Sequence, residues 1–86
     1  MIQISVIVPV FNEQDSLPEL NNWISRVMND HGFSYEIIFI NDGSNDDTLE
    51  RLVFLQSAFP RIRIVDLSRN FGKEAALTAG LRAARG

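Results

Sequence analysis

Three short polar clusters, each following an apolar run, carry the groups of this chain best suited to bind or transform a ligand. The sharpest is Asn41-Asp42-Gly43-Ser44, which interrupts the run Ile37-Ile38-Phe39-Ile40. A carboxylate at the end of a buried run is costly unless it is hydrogen-bonded. Asp42 therefore needs a local donor or a ligand donor, such as the imide N–H of uracil or the amino group of guanine. Gly43 permits an unusual backbone angle, and Ser44 offers a cap to the following helix. The competing local reading makes Asp42 itself part of that cap. The second cluster, Pro9-Val10-Phe11-Asn12-Glu13, joins an aromatic face to a carboxylate. A nucleoside needs both, an apolar surface against its base and an acceptor for its vicinal ribose hydroxyls. In structural terms alone, Phe11 plugs the sheet end and Glu13 is a solvated charge. The third cluster, Ser68-Arg69-Asn70-Phe71-Gly72-Lys73, puts Arg69 and Lys73 at the start of a helix. Cations and free helix N–H groups there can hold a diphosphate or face a base; otherwise Lys73 is an ordinary exposed helix charge.

The elements that must position these clusters follow from periodicity. Residues 3–8, Tyr35–Ile40 and 61–67 read as strands, with Pro9 ending the first by withholding a backbone donor. The unbroken apolar run of the second predicts a strand buried on both faces. Between them, Leu17, Leu20, Ile24, Val27 and Met28 fall at helical spacing, and Trp23 flanks their stripe. Ser16 and Glu19 match a capping box at that helix's start, and Gly32 suits its left-handed end after His31. Asp46 and Asp47 supply caps and favourable charge for a second helix, which Phe59-Pro60 breaks. An Ala-rich segment from about Gly72 or Lys73 to Arg85 reads as a third helix, with Gly86 as its cap. The order β-α-β-α-β-α with short connections calls for a Rossmann-like three-layer α/β sandwich with a parallel sheet. The expected spatial order has strand 1 at an open edge, strand 2 beside it and strand 3 outermost. All three clusters then converge on the carboxyl edge of the sheet, where open α/β sheets bind ligands.

Composition bounds the remainder. With 86 residues, 45% hydrophobic and 22% charged, the chain suits one small globular domain of marginal stability. A net charge of −3 argues against a nucleic-acid partner, which requires clustered Lys and Arg. Cysteine is absent, so there is neither a disulfide framework nor a thiolate metal site. The amino terminus lacks the basic and apolar regions of a signal peptide, and no run approaches the ~18 apolar residues of a membrane span. The residues are expected to be soluble and cytoplasmic.

Val8-Pro9-Val10-Phe11-Asn12-Glu13, the stretch from Asn41 to Thr48, and Ser68-Arg69-Asn70-Phe71-Gly72-Lys73-Glu74-Ala75-Ala76-Leu77 together resemble the opening motifs of family 2 inverting glycosyltransferases with the GT-A fold. The third motif is most similar to the polyprenyl-phosphate branch, which includes dolichyl-phosphate mannose synthase and the undecaprenyl-phosphate glycosyltransferases. The resemblance implies that Pro9, Phe11 and Glu13 line a pocket for the base and ribose of a UDP- or GDP-linked sugar. It implies that Asp42 bonds the base, that Gly43 and Ser44 shape the loop, and that Arg69 and Lys73 approach the base or diphosphate. It further implies a polyprenyl phosphate acceptor, transfer with inversion at the cytoplasmic face of a membrane, and Mg²⁺ or Mn²⁺ bridging the two phosphates.

Two departures qualify this. Asn41 stands where many relatives carry a further Asp, and the family's Asp-x-Asp metal motif does not occur in the 86 residues. The reading is therefore of an amino-terminal nucleotide-sugar-binding part, residues 1–86, with metal ligands beyond it, no catalytic residue of its own, and no activity alone. An alternative of another class is a non-catalytic binding or assembly module that self-associates through the open strand edge. A receiver-like signalling domain is weaker, because Pro9 and Ser68 stand where phosphoacceptor chemistry wants carboxylates.

Overall fold

The computed structural model describes residues 1–86. Strands β1 (Ile4–Val10), β2 (Tyr35–Asp42) and β3 (Ile62–Leu67) alternate with helices α1 (Leu17–Asp30), α2 (Thr48–Ala58) and α3 (Lys73–Ala83). The sheet has the order β1-β2-β3 with both pairs parallel, which places β2 in the centre as the unbroken apolar run requires. Every residue of β2 is buried.

Alternation along the strands sorts side chains between two layers. Tyr35, Ile37 and Phe39 join Val10 and Ile62 in the larger core beneath α1 and α2, where Leu17, Ile24, Leu52 and Leu55 close over them. Ile38 and Ile40 face the other way, onto Ala76 of α3. Each such large side chain contributes about 1.5–3 kcal/mol by leaving water. The α3 contact uses small residues rather than its leucines. A Cβ on Gly80 would overlap Ile7, whereas Leu81 is 69% exposed. Helix and sheet approach closely because Ala and Gly leave room between their backbones. No helix is long and apolar enough to cross a membrane.

Three local expectations are corrected. Pro9 does not end β1, which continues to Val10 with Pro9 paired to Ile40. On a strand with a neighbour on one side only, a missing donor is tolerated. The Ser16 capping box does not form: Ser16 has helical backbone angles and its side chain makes no cap bond. The α1 carboxyl end does close as expected, with Gly32 at φ 69 and a Schellman pair, Gly32 N–H to Asn29 and Phe33 N–H to Met28. Gly86 does not cap α3, which stops at Ala83.

That early stop has a cause at the base of the sheet. Glu36, at the start of β2, is 2% exposed and accepts hydrogen bonds from Ser5 Oγ (2.5 Å), Arg63 Nη1 (2.8 Å) and the Arg85 N–H (2.7 Å). Arg63 Nη1 also donates to the Ala83 carbonyl at 2.6 Å. The groups that would extend α3 are thus taken by side chains of the strands. Burial by itself would raise the Glu36 pKa, but these hydrogen bonds and the Arg63 charge outweigh it and hold the carboxyl below the usual carboxylate value.

Candidate functional site

At the carboxyl ends of the strands, adjacent residues of β2 point to opposite faces. Asn41 turns toward the α1/α2 side and Asp42 toward α3. The register pairs Asn41 with Asp66 of β3, and Asn41 Nδ2 donates to Asp66 Oδ1 at 2.9 Å. Asn41 Oδ1 accepts from Ser44 Oγ at 2.6 Å, and Ser44 Oγ in turn accepts the Asn12 N–H at 2.9 Å. Asn12 Oδ1 returns the link by accepting the Asn45 N–H at 2.7 Å. Asn12 is the one non-glycine residue with positive φ, a conformation Asn tolerates better than most. One polar chain therefore ties the ends of all three strands together. It also accounts for Asn41: an Asp there would set a second carboxylate against Asp66, whereas the amide donates to it.

Asp42 makes the second cross-link. It is 5% exposed, with Oδ1 accepting the Phe71 N–H (2.8 Å) and Oδ2 the Gly72 N–H (3.1 Å). Its local role is thus to fix the approach to α3, not to cap α2. Gly43 follows at φ 70, where a Cβ would overlap the backbone of Arg69 and Asn70. Glycine is required for both the angle and the close approach.

Ser44 does not cap α2 either, since its hydroxyl is engaged with Asn41 and Asn12. Asp46 takes that role, accepting the Thr48 N–H at 2.9 Å and the Thr48 hydroxyl. The hydroxyl's bond leads the effects that lower the Asp46 pKa, with burial opposing it. Buried Thr48 accepts the Glu13 N–H at 3.0 Å, so the first loop is anchored to the start of α2.

These cross-links leave two neighbouring cavities, one on each face. The larger, about 550 Å³, lies on the α2 side and is lined by Phe11, Gly43, Ser44, Asp66, Arg69 and Asn70 among others. The smaller, about 90 Å³, lies toward α3 and is lined by Pro9, Val10, Phe11, Glu13, Asp42 and Lys73. All eight residues expected from the sequence line one cavity or the other, and Phe11 lines both. Sequence reasoning missed Asp66 and Asn70. Asp66 was legible as a carboxylate one residue before the end of an apolar strand, but its place depends on the register with Asn41.

The chemistry of the rim follows from which groups are already paired. The sole salt bridge of the protein joins Arg63 to Glu36 at the opposite end, so Arg69, Lys73, Glu13 and Asp66 have no ionic partner. The Arg69 guanidinium lies over the Phe71 ring at 4.9 Å. A ligand with negative charge and N–H donors finds counter-groups for both. No three His, Cys, Asp or Glu side chains converge to hold a metal ion, so these residues do not by themselves fit the divalent cation that the resemblance implies.

The parallel three-layer sheet with its loop cluster is the fold of the GT-A glycosyltransferases. TarS (residues 1–349) from S. aureus superposes with a TM-score of 0.81 at 26% identity, over 99% of this chain and 25% of that one. A mannosyltransferase from Pyrobaculum calidifontis, solved with GDP-Man and Mn²⁺, superposes at 0.74 with 24% identity, over 95% and 24%. The chain belongs to glycosyl transferase family 2, whose model matches residues 5–86. It is 45% identical over 85 residues to the glycosyltransferase sll0501 of Synechocystis sp., covering 99% of this chain and 27% of that protein. It is 40% identical over 85 residues to the bactoprenol glucosyl transferase of Shigella phage SfV, covering 99% and 28%. Over 79 residues it is 42% identical to the undecaprenyl-phosphate 4-deoxy-4-formamido-L-arabinose transferase of Salmonella paratyphi B, covering 91% and 24%. The chain spans about a quarter of the length of the curated relatives it matches.

Proposed function

We propose that residues 1–86 form the nucleotide-binding part of an inverting glycosyltransferase. In this reading the enzyme moves a sugar from a UDP- or GDP-linked donor to a polyprenyl phosphate at the cytoplasmic face of a membrane. The observation that carries it is the convergence of Pro9, Phe11, Glu13, Asp42, Gly43, Ser44, Arg69 and Lys73 on two neighbouring cavities whose rim charges lack partners. The bactoprenol and undecaprenyl-phosphate transferases among the relatives support the lipid acceptor.

Within the site, the base lies against Phe11, Glu13 accepts from the ribose hydroxyls, and Arg69 and Lys73 meet the diphosphate. Two carboxylates are in reach of a base, and their bonding separates their tasks. Both oxygens of Asp42 already accept backbone N–H groups, so it chiefly positions the Arg69–Gly72 loop and bonds the base with its remaining lone pairs. Asp66 has one oxygen held by Asn41 and one without a partner. That oxygen is the natural acceptor for a base N–H. Any divalent metal is held by residues outside this segment, which alone does not transfer sugar.

Calorimetric titration of the 86-residue chain with UDP and GDP, each with and without Mn²⁺, tests the proposal. The expected result is saturable binding of one nucleotide, weakened by Asp42→Ala. Binding of neither nucleotide would sink the claim that these residues already form a donor site.

A further inference from the structure

We infer that Thr48 and Asp46 are positioning residues that aim the Glu13 carboxylate at the ribose of the donor, an assignment that rests on reading residues 1–86 as a nucleotide site. Thr48 opens α2 and is fully buried. Its hydroxyl has one proton, which goes to Asp46 Oδ1. A carboxylate oxygen only accepts, so the direction of that bond is fixed, and Thr48 Oγ1 keeps its lone pairs for the Glu13 N–H at 3.0 Å. Capping of α2 does not account for the hydroxyl. Asp46 Oδ1 also accepts the Thr48 N–H at 2.9 Å, which satisfies the helix end whether or not residue 48 carries an oxygen. The hydroxyl serves the first loop instead.

The neighbours of Glu13 are held by the same segment. Asn12 donates its N–H to Ser44 Oγ at 2.9 Å and accepts the Asn45 N–H on Oδ1 at 2.7 Å, while Gln14 Oε1 accepts the Asp47 N–H at 2.9 Å. The Glu13 carbonyl accepts the Ser16 N–H at 3.0 Å. Residues 12 to 14 are thus pinned to residues 44–48 at three successive positions, and both backbone polar groups of Glu13 are fixed. Its side chain is exposed, forms no salt bridge and lines the smaller cavity. A carboxylate that is free at its tip and rigid at its root can select for geometry. It meets two vicinal hydroxyls together only when it is held to within about 0.5 Å. Thr48 lines neither cavity, so it acts on the nucleotide through Glu13.

The test is calorimetric titration of the 86-residue chain with UDP against 2′-deoxy-UDP and GDP against 2′-deoxy-GDP, read as the ratio of the two affinities in each pair. The nucleotide that binds should favour its ribose form about tenfold. Thr48→Val should reduce that preference to about twofold, and Thr48→Ser, which keeps the hydroxyl, should retain it. Asp46→Ala leaves the buried Thr48 side chain in place and should lower the preference to about threefold, so it carries the same test should Thr48→Val lose its fold. In a Glu13→Gln background, Thr48→Val should change the ratio no further, because the two residues act as one unit. Amide hydrogen exchange at the Glu13 N–H, followed by NMR without nucleotide, should speed up in Thr48→Val. Retained binding with an unchanged ribose preference in Thr48→Val and Asp46→Ala would overturn the assignment while leaving the nucleotide site standing. So would a loss in Thr48→Val that adds in full to that of Glu13→Gln. Binding of neither nucleotide by the unaltered chain would remove the site itself, and the role of Thr48 with it.

Discussion

The two ends of the sheet treat their charged groups in opposite ways. At the base, Glu36 is buried and saturated by Ser5, Arg63 and the Arg85 N–H, and its one ionic partner is spent on it. At the carboxyl ends, Asp42 is similarly satisfied by backbone donors, yet Asp66, Glu13, Arg69 and Lys73 remain without ionic partners around open cavities. A saturated buried carboxylate fastens elements together. Unpaired charges beside an open cavity are an arrangement that structure alone does not require, and they mark where a ligand completes the pairing.

The comparison breaks most sharply at Glu36. Glu36→Leu leaves Arg63, Ser5 and the Arg85 N–H without their acceptor and should cost about 3 kcal/mol of folding stability, read from the urea midpoint. A loss under about 0.5 kcal/mol would show that the clasp is incidental. Acid probes the same contact reversibly. Because the folded Glu36 pKa is lowered, the clasp's contribution is fully present above the unfolded carboxylate value and is lost as pH falls through the folded value, below 4.5. Urea midpoints measured from pH 6 downward should lose this component in Glu36→Gln.

Gly43→Ala comes next, at about 2 kcal/mol, since a Cβ at φ 70 meets the Arg69 and Asn70 backbone. It should also weaken nucleotide binding, because the Arg69 loop must move away. An unchanged midpoint would mean that the two loops are not held together there.

Asp66→Asn sharpens the contrast. The Asn41 bond survives on the remaining carbonyl oxygen, so stability should change by less than about 0.5 kcal/mol, while nucleotide affinity falls about tenfold. Asp42→Asn should act chiefly on stability, lowering it by about 1–2 kcal/mol by placing an amide N–H₂ against a backbone N–H, with a smaller loss of nucleotide affinity than Asp66→Asn. If both variants behave alike, the division of labour between the two carboxylates is wrong. The smallest effect belongs to Ser16→Ala, expected to stay within about 0.5 kcal/mol because its side chain caps nothing; a circular-dichroism melt resolves this.

The sequence by itself determined the alternation of strands and helices, the parallel sheet with β2 buried at its centre, and the identity of eight cavity-lining residues. Those features rest on period, turn chemistry and residue type, which are local properties of the chain. Tertiary structure decided which of those groups are free. Asn41 and Asp42 are neighbours in sequence, but the pleat sends one to Asp66 and the other to the approach to α3. The capping box at Ser16 and the cap at Gly86 were locally sensible and did not form. For α3 the reason is plain: Glu36 and Arg63, distant in sequence, claim its last backbone groups. Asn21 sits on a helix face where spacing alone expects an apolar residue, and only the packing of α1 buries its amide with neither polar atom paired. Hydrogen-bond partners across the sheet depend on register and layer, and no window of adjacent residues contains that information.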